Sequence, residues 1–244
     1  ATGQPARAGE GWSLESGAAH EIVVGGRPAV QLDLVLRRQA LRANMHIVAY
    51  PGTSVLRQLV ELENTGSSAT TLESADHFSI AMPEDKSSSF THYWMHGANS
   101  RPNQGLLESD TISDSYHHAT FGYETDYYNP WMAIQRSGFG GDGWFMAAEY
   151  LGDWVFSTDH QASGPVIVTA SLPELIGYKL APGARLQLPL LTIGVFRDSL
   201  DDMGRRLYDW QYEYLWDYTN DYYYTRTQIA HPWVAESTNL QDMF

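Results

Sequence analysis

Cysteine is absent from the 244 residues. Disulfides and thiolate metal sites are therefore excluded, and the compartment stays open. Cationic side chains are scarce. Fifteen Lys and Arg stand against 29 Asp and Glu, a formal charge of −14. Such a chain repels phosphate backbones, which argues against nucleic acid as a partner. No apolar run reaches about eighteen residues, so no helix is expected to span a membrane. The start carries no basic-then-apolar leader pattern, and any leader is expected to have been removed or never to have existed. Helical periodicity is nearly missing before Asp198.

What is present is a surplus of amphipathic aromatics, 15 Tyr and 8 Trp against 8 Phe. These side chains join an apolar body to a polar tip. They suit carbohydrate surfaces and partner interfaces, and equally the core and rim of a β-sandwich. With 43% hydrophobic residues, the chain can build one large β domain or two small ones.

Ala1–Gly11 is small and Gly/Pro-rich and reads as a frayed start or a cut inside a domain. From Ala29 a period of two sets in. Val30, Leu32, Leu34 and Leu36 alternate with other residues, Asn44–Tyr50 follows, and Leu56–Glu63 alternates again. Pro51-Gly52-Thr53 and Asn64-Thr65-Gly66 are turns by composition. Further strands are expected at Leu72–Ile80, Phe90–Met95, Trp131–Arg136, Trp144–Leu151, Val155–Asp159, Val166–Ser171 and Leu186–Phe196. So many strands on short turns predict a mainly β fold, a large antiparallel two-sheet sandwich. Gly97–Asn129 is the least regular stretch and reads as long loops around short strands.

One helix is predicted, from Ser199 to Leu215. Ser199 and Asp202 have capping-box spacing. Leu200, Met203, Leu207, Trp210 and Tyr214 recur at three and four and form one apolar face for docking on the sandwich. Asp201 with Arg205, and Asp202 with Arg206, are spaced for ion pairs on an exposed side.

Several segments in this order resemble the N-terminal β-supersandwich domain of glycoside hydrolase family 36, the melibiase or α-galactosidase family. Leu172–Pro189 (LPELIGYKLAPGARLQLP) and Leu191–Phe196 (LTIGVF) resemble its strand, "PG" turn and strand sequence. Met203–Trp216 resembles the helix that follows, Glu149–Trp154 (EYLGDW) its Tyr-Ser-Gly-Asn-Trp/Phe segment, and Tyr50–Gly66 one of its hairpins. The resemblance covers about residues 22 to 220. It implies a supersandwich over 1–197, a linker helix over 198–216, and an aromatic linker over 217–244. That linker would lead toward a catalytic (β/α)8 barrel which this chain lacks. In the family, two Asp on that barrel do the catalysis, the nucleophile standing in a Lys-Trp/Tyr-Asp-x-Asn strand. No such string occurs here. Trp216-Asp217-Tyr218-Thr219-Asn220 lacks the Lys, and no role passes to Asp217. A barrel needs about 250 residues, and only 24 follow Asn220. The implied role is a non-catalytic domain of an α-galactosidase-like or α-N-acetylgalactosaminidase-like retaining hydrolase. It would support the barrel, one wall of the sugar pocket and oligomer contacts, and its glycans would be those of the parent enzyme. A stand-alone carbohydrate-binding sandwich is the alternative. No cofactor is expected.

Tyr93–Arg101 offers a sugar-contact set. Trp94 can stack on a sugar ring, while His96, Asn99, Arg101 and the more distant His117 can hydrogen-bond hydroxyls. The competing reading puts Trp94 in the core. No metal is expected. His117 and His118 are neighbours that a strand sends to opposite faces, and Asp142 sits in a Gly-rich hairpin turn without a calcium-loop pattern. Trp216 and Tyr222, Tyr223 and Tyr224 close the chain with an aromatic cluster expected to face outward or into a partner, the barrel above all.

Overall fold

The computed structural model describes residues 11–72, 76–82, 89–97, 102–122, 127–137, 141–150, 152–161 and 164–215. Its strands are β1 (Ser13–Val24), β2 (Arg27–Arg38), β3 (Leu41–Ala49), β4 (Val55–Asn64), β5 (Thr70–Thr71) and β6 (Asp76–Met82). Then come β7 (Phe90–His96), β8 (Leu107–Ile112), β9 (His117–Gly122), β10 (Tyr128–Arg136) and β11 (Gly143–Glu149). The last are β12 (Trp154–Asp159), β13 (Val166–Ser171), β14 (Lys179–Leu180), β15 (Arg185–Gln187) and β16 (Leu190–Phe196). Helix α1 (Leu200–Trp210) follows and continues into a π-helical turn, Gln211–Leu215. More than half of the described residues are strand, as the period-two pattern predicts.

The main sheet has ten strands in the order β1-β2-β3-β4-β16-β11-β10-β7-β8, with β15 also paired to β4. A four-stranded sheet, β6-β13-β12-β9, packs on one face. The two sheets are unequal, ten strands against four. Side-chain alternation divides the main sheet cleanly. On β10, Met132 and Ile134 point into the layer shared with the small sheet, while Ala133 between them joins the opposite cluster under α1. The shared layer is completed by Trp154 and Phe156 of β12, by Val166, Val168 and Ala170 of β13, and by Met146 and Leu191 of the main sheet. On the helix side, Phe145 and Phe196 lie over glycines. Phe145 is registered opposite Gly194, and Phe196 opposite Gly143. A Cβ at either glycine would collide with the facing ring.

Three boundaries differ from the sequence reading. Leu186–Phe196 is two strands rather than one, because Pro189 has no N–H for a ladder and stands between β15 and β16. Leu72 lies outside a strand, and β6 starts at Asp76. Strand β1 lay in a stretch with no alternating pattern. Its residues are exposed except Ile22 and Val24, so no buried face left a mark on the sequence.

The helix begins as its capping residues predict. The Ser199 hydroxyl accepts from the Asp202 N–H at 3.2 Å. Asp202 then gathers more than the spacing suggested. Its carboxylate accepts from Arg205 and Arg206, both at 2.5 Å, and from the Arg197 N–H at 3.0 Å. Arg205 therefore belongs to Asp202 rather than to Asp201, and the two guanidinium groups cover a carboxylate expected to be solvated. Led by the Arg206 bond, these donors hold Asp202 well below the usual carboxylate range.

Candidate functional site

Of the expected sugar-contact residues, β7 carries Trp94 and His96, which lie on one side of the strand, and β9 carries His117. His92 and Trp94 turn into the layer beneath the small sheet, where Trp94 is 7% exposed. Its ring lies 3.9 Å, centroid to centroid, from that of His118 on β9. The Trp94 ring faces an imidazole there, and of the two readings of this side chain the fold adopts the core one. His92 Nδ1 is 3.0 Å from the Tyr116 hydroxyl. Burial, with the neighbouring His118, holds His92 down to about 3, so it is a neutral imidazole. Burial also lowers His118 and raises Tyr116. His117 points away from this layer, as alternation requires, and its Nδ1 lies 2.5 Å from Asp159. His96 is half-buried, with Nε2 3.2 Å from the Glu108 carboxylate of β8. Asn99 and Arg101 lie outside the described residues, as do Trp216, Tyr222, Tyr223 and Tyr224. No group of three or more His, Asp or Glu is placed to hold a metal ion among the described residues. Asp142 is taken by Arg136 through two bonds, at 3.1 and 2.8 Å.

A more built site lies on the other face of the main sheet, where α1 ends. Trp210 and Tyr214 are buried on Tyr50, which follows β3. Ring centroids are 5.4 Å apart for Tyr50 and Trp210, and 4.9 Å for Tyr50 and Tyr214. The π-helical turn moves Tyr214 into reach of the turn after β3, and its hydroxyl donates to the Pro51 carbonyl at 2.8 Å. Burial raises Tyr50, so it stays a neutral phenol. The Arg57 guanidinium stands 5.9 Å from the Trp210 ring and binds Glu149 at 2.5 Å, and Thr192 donates to the same carboxylate at 3.0 Å. Arg27 reaches Glu213 of the π-helical turn at 2.8 Å. Between this turn and Gly52–Ser54 opens a cleft of about 470 Å³, bordered by Arg27, Thr53, Arg206, Asp209, Tyr212 and Glu213. Sequence reading found the helix stripe here but missed Tyr50, Arg57 and Glu149. These come from three different strands or turns, and no local spacing unites them.

Beyond the helix the same sheet face carries a polar belt on β2, β3 and β4. His46 Nδ1 is 2.5 Å from Asp33 Oδ1, Gln31 donates to the same oxygen at 2.8 Å, and His20 of β1 is 3.5 Å from Oδ2. The bonds from His46 and Gln31 lower the Asp33 carboxyl. Asn44 reaches Glu61, and Glu15 faces both Arg37 and Arg42. These groups are partly exposed and paired with one another.

No family model matches the chain, and no curated protein does. Solved structures do. The galactosidase domain of the α-galactosidase-sucrose kinase AgaSK superposes with a TM-score of 0.68 at 17% identity, over 80% of this chain and 29% of that one. A variant of the GH36 α-galactosidase AgaA from Geobacillus stearothermophilus, in complex with stachyose, gives 0.72 at 16% identity, over 84% and 30%. The α-galactosidase from Lactobacillus brevis gives 0.70 at 13% identity, over 82% and 29%. The chain thus spans about 30% of the length of the enzymes it matches. At these identities the likeness establishes the fold: that of a β domain within GH36 α-galactosidases.

Proposed function

We propose that this chain is the non-catalytic N-terminal domain of an α-galactosidase-like or α-N-acetylgalactosaminidase-like retaining hydrolase. One observation carries the reading. Solved α-galactosidases share the fold over about 80% of this chain, while the match takes in only about 30% of their own length. The role is structural support of a catalytic (β/α)8 barrel, with one wall of the sugar pocket and contacts between copies as further duties. The Tyr50–Trp210–Tyr214 clamp supports this assignment, because it fixes the end of the helix against the sheet where a following domain would take its bearing. The paired polar belt on β2–β4 suits a domain contact of the same kind. Any wall of the sugar pocket would draw on the β7–β9 region, where His117 is exposed beside Asp159. Glycans would be α-galactosides or α-N-acetylgalactosaminides, bound through the whole enzyme.

Hydrolysis of nitrophenyl α-galactoside and nitrophenyl α-N-acetylgalactosaminide by the purified chain tests the non-catalytic claim. No turnover above buffer is expected, and robust turnover overturns it. Reading the coding sequence past Phe244 tests the domain assignment. A barrel carrying a Lys-Trp/Tyr-Asp-x-Asn strand supports it, and an immediate stop codon removes it.

A further inference from the structure

Among the described residues, the main sheet ends on one side in β1, which bonds only to β2. It is the longest free edge among the described residues, twelve residues from Ser13 to Val24, exposed on both faces along most of its length. A free strand edge is a template for another strand, and proteins commonly guard it with Lys, Pro or a bulge. The other edge strands of the two sheets are shorter, at six or seven residues. Strand β8 carries Glu108 and Asp110, β6 carries Asp76 and His77, and β9 carries His117 and His118. In contrast, β1 has neither Lys nor Pro, and its one irregularity lies between Leu14 and Ser16. Ser16–Val24 is regular, with Gly17, Ala18 and Ala19 at its centre and Glu21 as its only acidic residue.

The turn sets which groups face the open side. Gly25 and Gly26 have φ of 57° and 78°, both left-handed, as a two-residue hairpin turn of type I′ requires. In such a hairpin the flanking pair, Val24 and Arg27, exchanges hydrogen bonds, and so does every second pair behind it. Ile22, His20 and Ala18 therefore bond to β2. Val23, Glu21, Ala19 and Gly17 turn their N–H and C=O to the edge. Pro28, opposite Val23, lacks an N–H and agrees with this phase.

We propose that two copies of this chain pair antiparallel through β1, about a two-fold axis at Ala19, and so join their main sheets into one. A two-fold contact completes both edges at once. The axis position follows from side chains. Centred on Ala19, Glu21 faces the partner's Gly17, and His20 faces the partner's Ala18. Centred on Ala18, Glu21 meets the partner's Glu15. Centred on His20 or Glu21, each opposes itself, and centred on Gly17 the pairing runs into the bulge. Only the Ala19 register sets small residues at the middle and no like charges opposite each other. The dimer does not depend on the glycosidase reading, and hydrolysis assays do not bear on it.

Sedimentation of the full 244-residue chain tests the pairing. A dimer is expected, with a dissociation constant that Ala19→Pro raises by more than about tenfold. Of the strand's hydrogen-bonding groups this substitution removes only an N–H that faces the open edge, while its ring also holds φ near −65°. A monomer at about 100 µM, or a dimer that Ala19→Pro leaves intact, overturns the proposal. Cross-linking decides the matter should that variant fold poorly. The two Ala19 Cα atoms would stand about 5.5 Å apart, inside the range a disulfide spans. Ala19→Cys is expected to form a covalent dimer on mild oxidation, and Ala18→Cys is expected to pair in the same way without becoming cross-linked. Equal cross-linking of the two variants, or none, sinks the Ala19 axis.

Discussion

Tyr214 donates its hydroxyl to the backbone carbonyl of Pro51 across 163 residues of chain. The bond ties the end of the last described helical turn to the turn after β3, and it exists because the backbone widens into a π-helical turn at Gln211–Leu215. Tyr214→Phe keeps the ring on Tyr50 and removes only the hydroxyl. It is expected to cost about 0.5–1.5 kcal/mol. Trp210→Ala, in the same clamp, leaves a cavity and is expected to cost about 3–5 kcal/mol. Urea midpoints of the two variants check the order, and equal losses would mean that the helix is not docked through Trp210.

Trp94→Ala is expected to behave as a core truncation, with a loss of about 3–5 kcal/mol by chemical denaturation. The ring is 7% exposed and lies on His118. A variant as stable as the parent would place Trp94 at the surface and return it to the sugar-contact set.

Acid should weaken the fold through His92. Its folded value lies near 3 and its ordinary value is 6.5, so between these limits the unfolded chain binds the extra proton. The stability that neutral His92 contributes is whole above about pH 6.5 and falls as pH drops toward 3, by at most about 1.4 kcal/mol per pH unit. His118 adds to the fall in the same direction. His92→Gln should flatten the profile between pH 6.5 and 4. Parallel profiles for parent and variant would show that His92 is not the group responsible.

Gly194→Ala and Gly143→Ala are each expected to destabilise by about 1–3 kcal/mol, because each added methyl meets a facing phenyl ring, Phe145 or Phe196. The two sites are neighbours on one strand pair, and the double variant should depart from the sum of the singles. Thermal or urea unfolding of the four chains measures the coupling.

Most of the strands were legible because one face of each is buried. Val60 and Leu62 on β4 alternate for that reason, and Leu36 on β2 joins the same layer, whereas Leu32 and Leu34 are half-buried like the polar residues between them. The helix was legible too, since Leu200, Met203, Leu207 and Trp210 do pack together on the sheet. Strand β1 was not, because pairing with β2 rather than burial makes it a strand. Pro189 was readable in principle as the break between β15 and β16, and the apolar run around it hid that. The stacked Trp94 and His118 come from strands of different sheets, and nothing local in either segment announces the partner. The clamp around Tyr50 was hidden in the same way. Trp216 and Tyr222–Tyr224 fall outside the described residues, so the aromatic-tail expectation rests on sequence alone.

The tip of the β1–β2 hairpin touches the π-helical turn. A side chain on Gly25 would run into the Tyr214 backbone, and Arg27 holds Glu213 beside it at 2.8 Å. Tension applied to the chain at Leu215 therefore meets the Pro51 bond, the Arg27–Glu213 pair and the Gly25 contact before any turn of α1 can peel from the sheet. Seen as a mechanical joint, this corner makes the helix end an anchor point whose breaking force depends on the hairpin tip, nearly two hundred residues earlier in the chain.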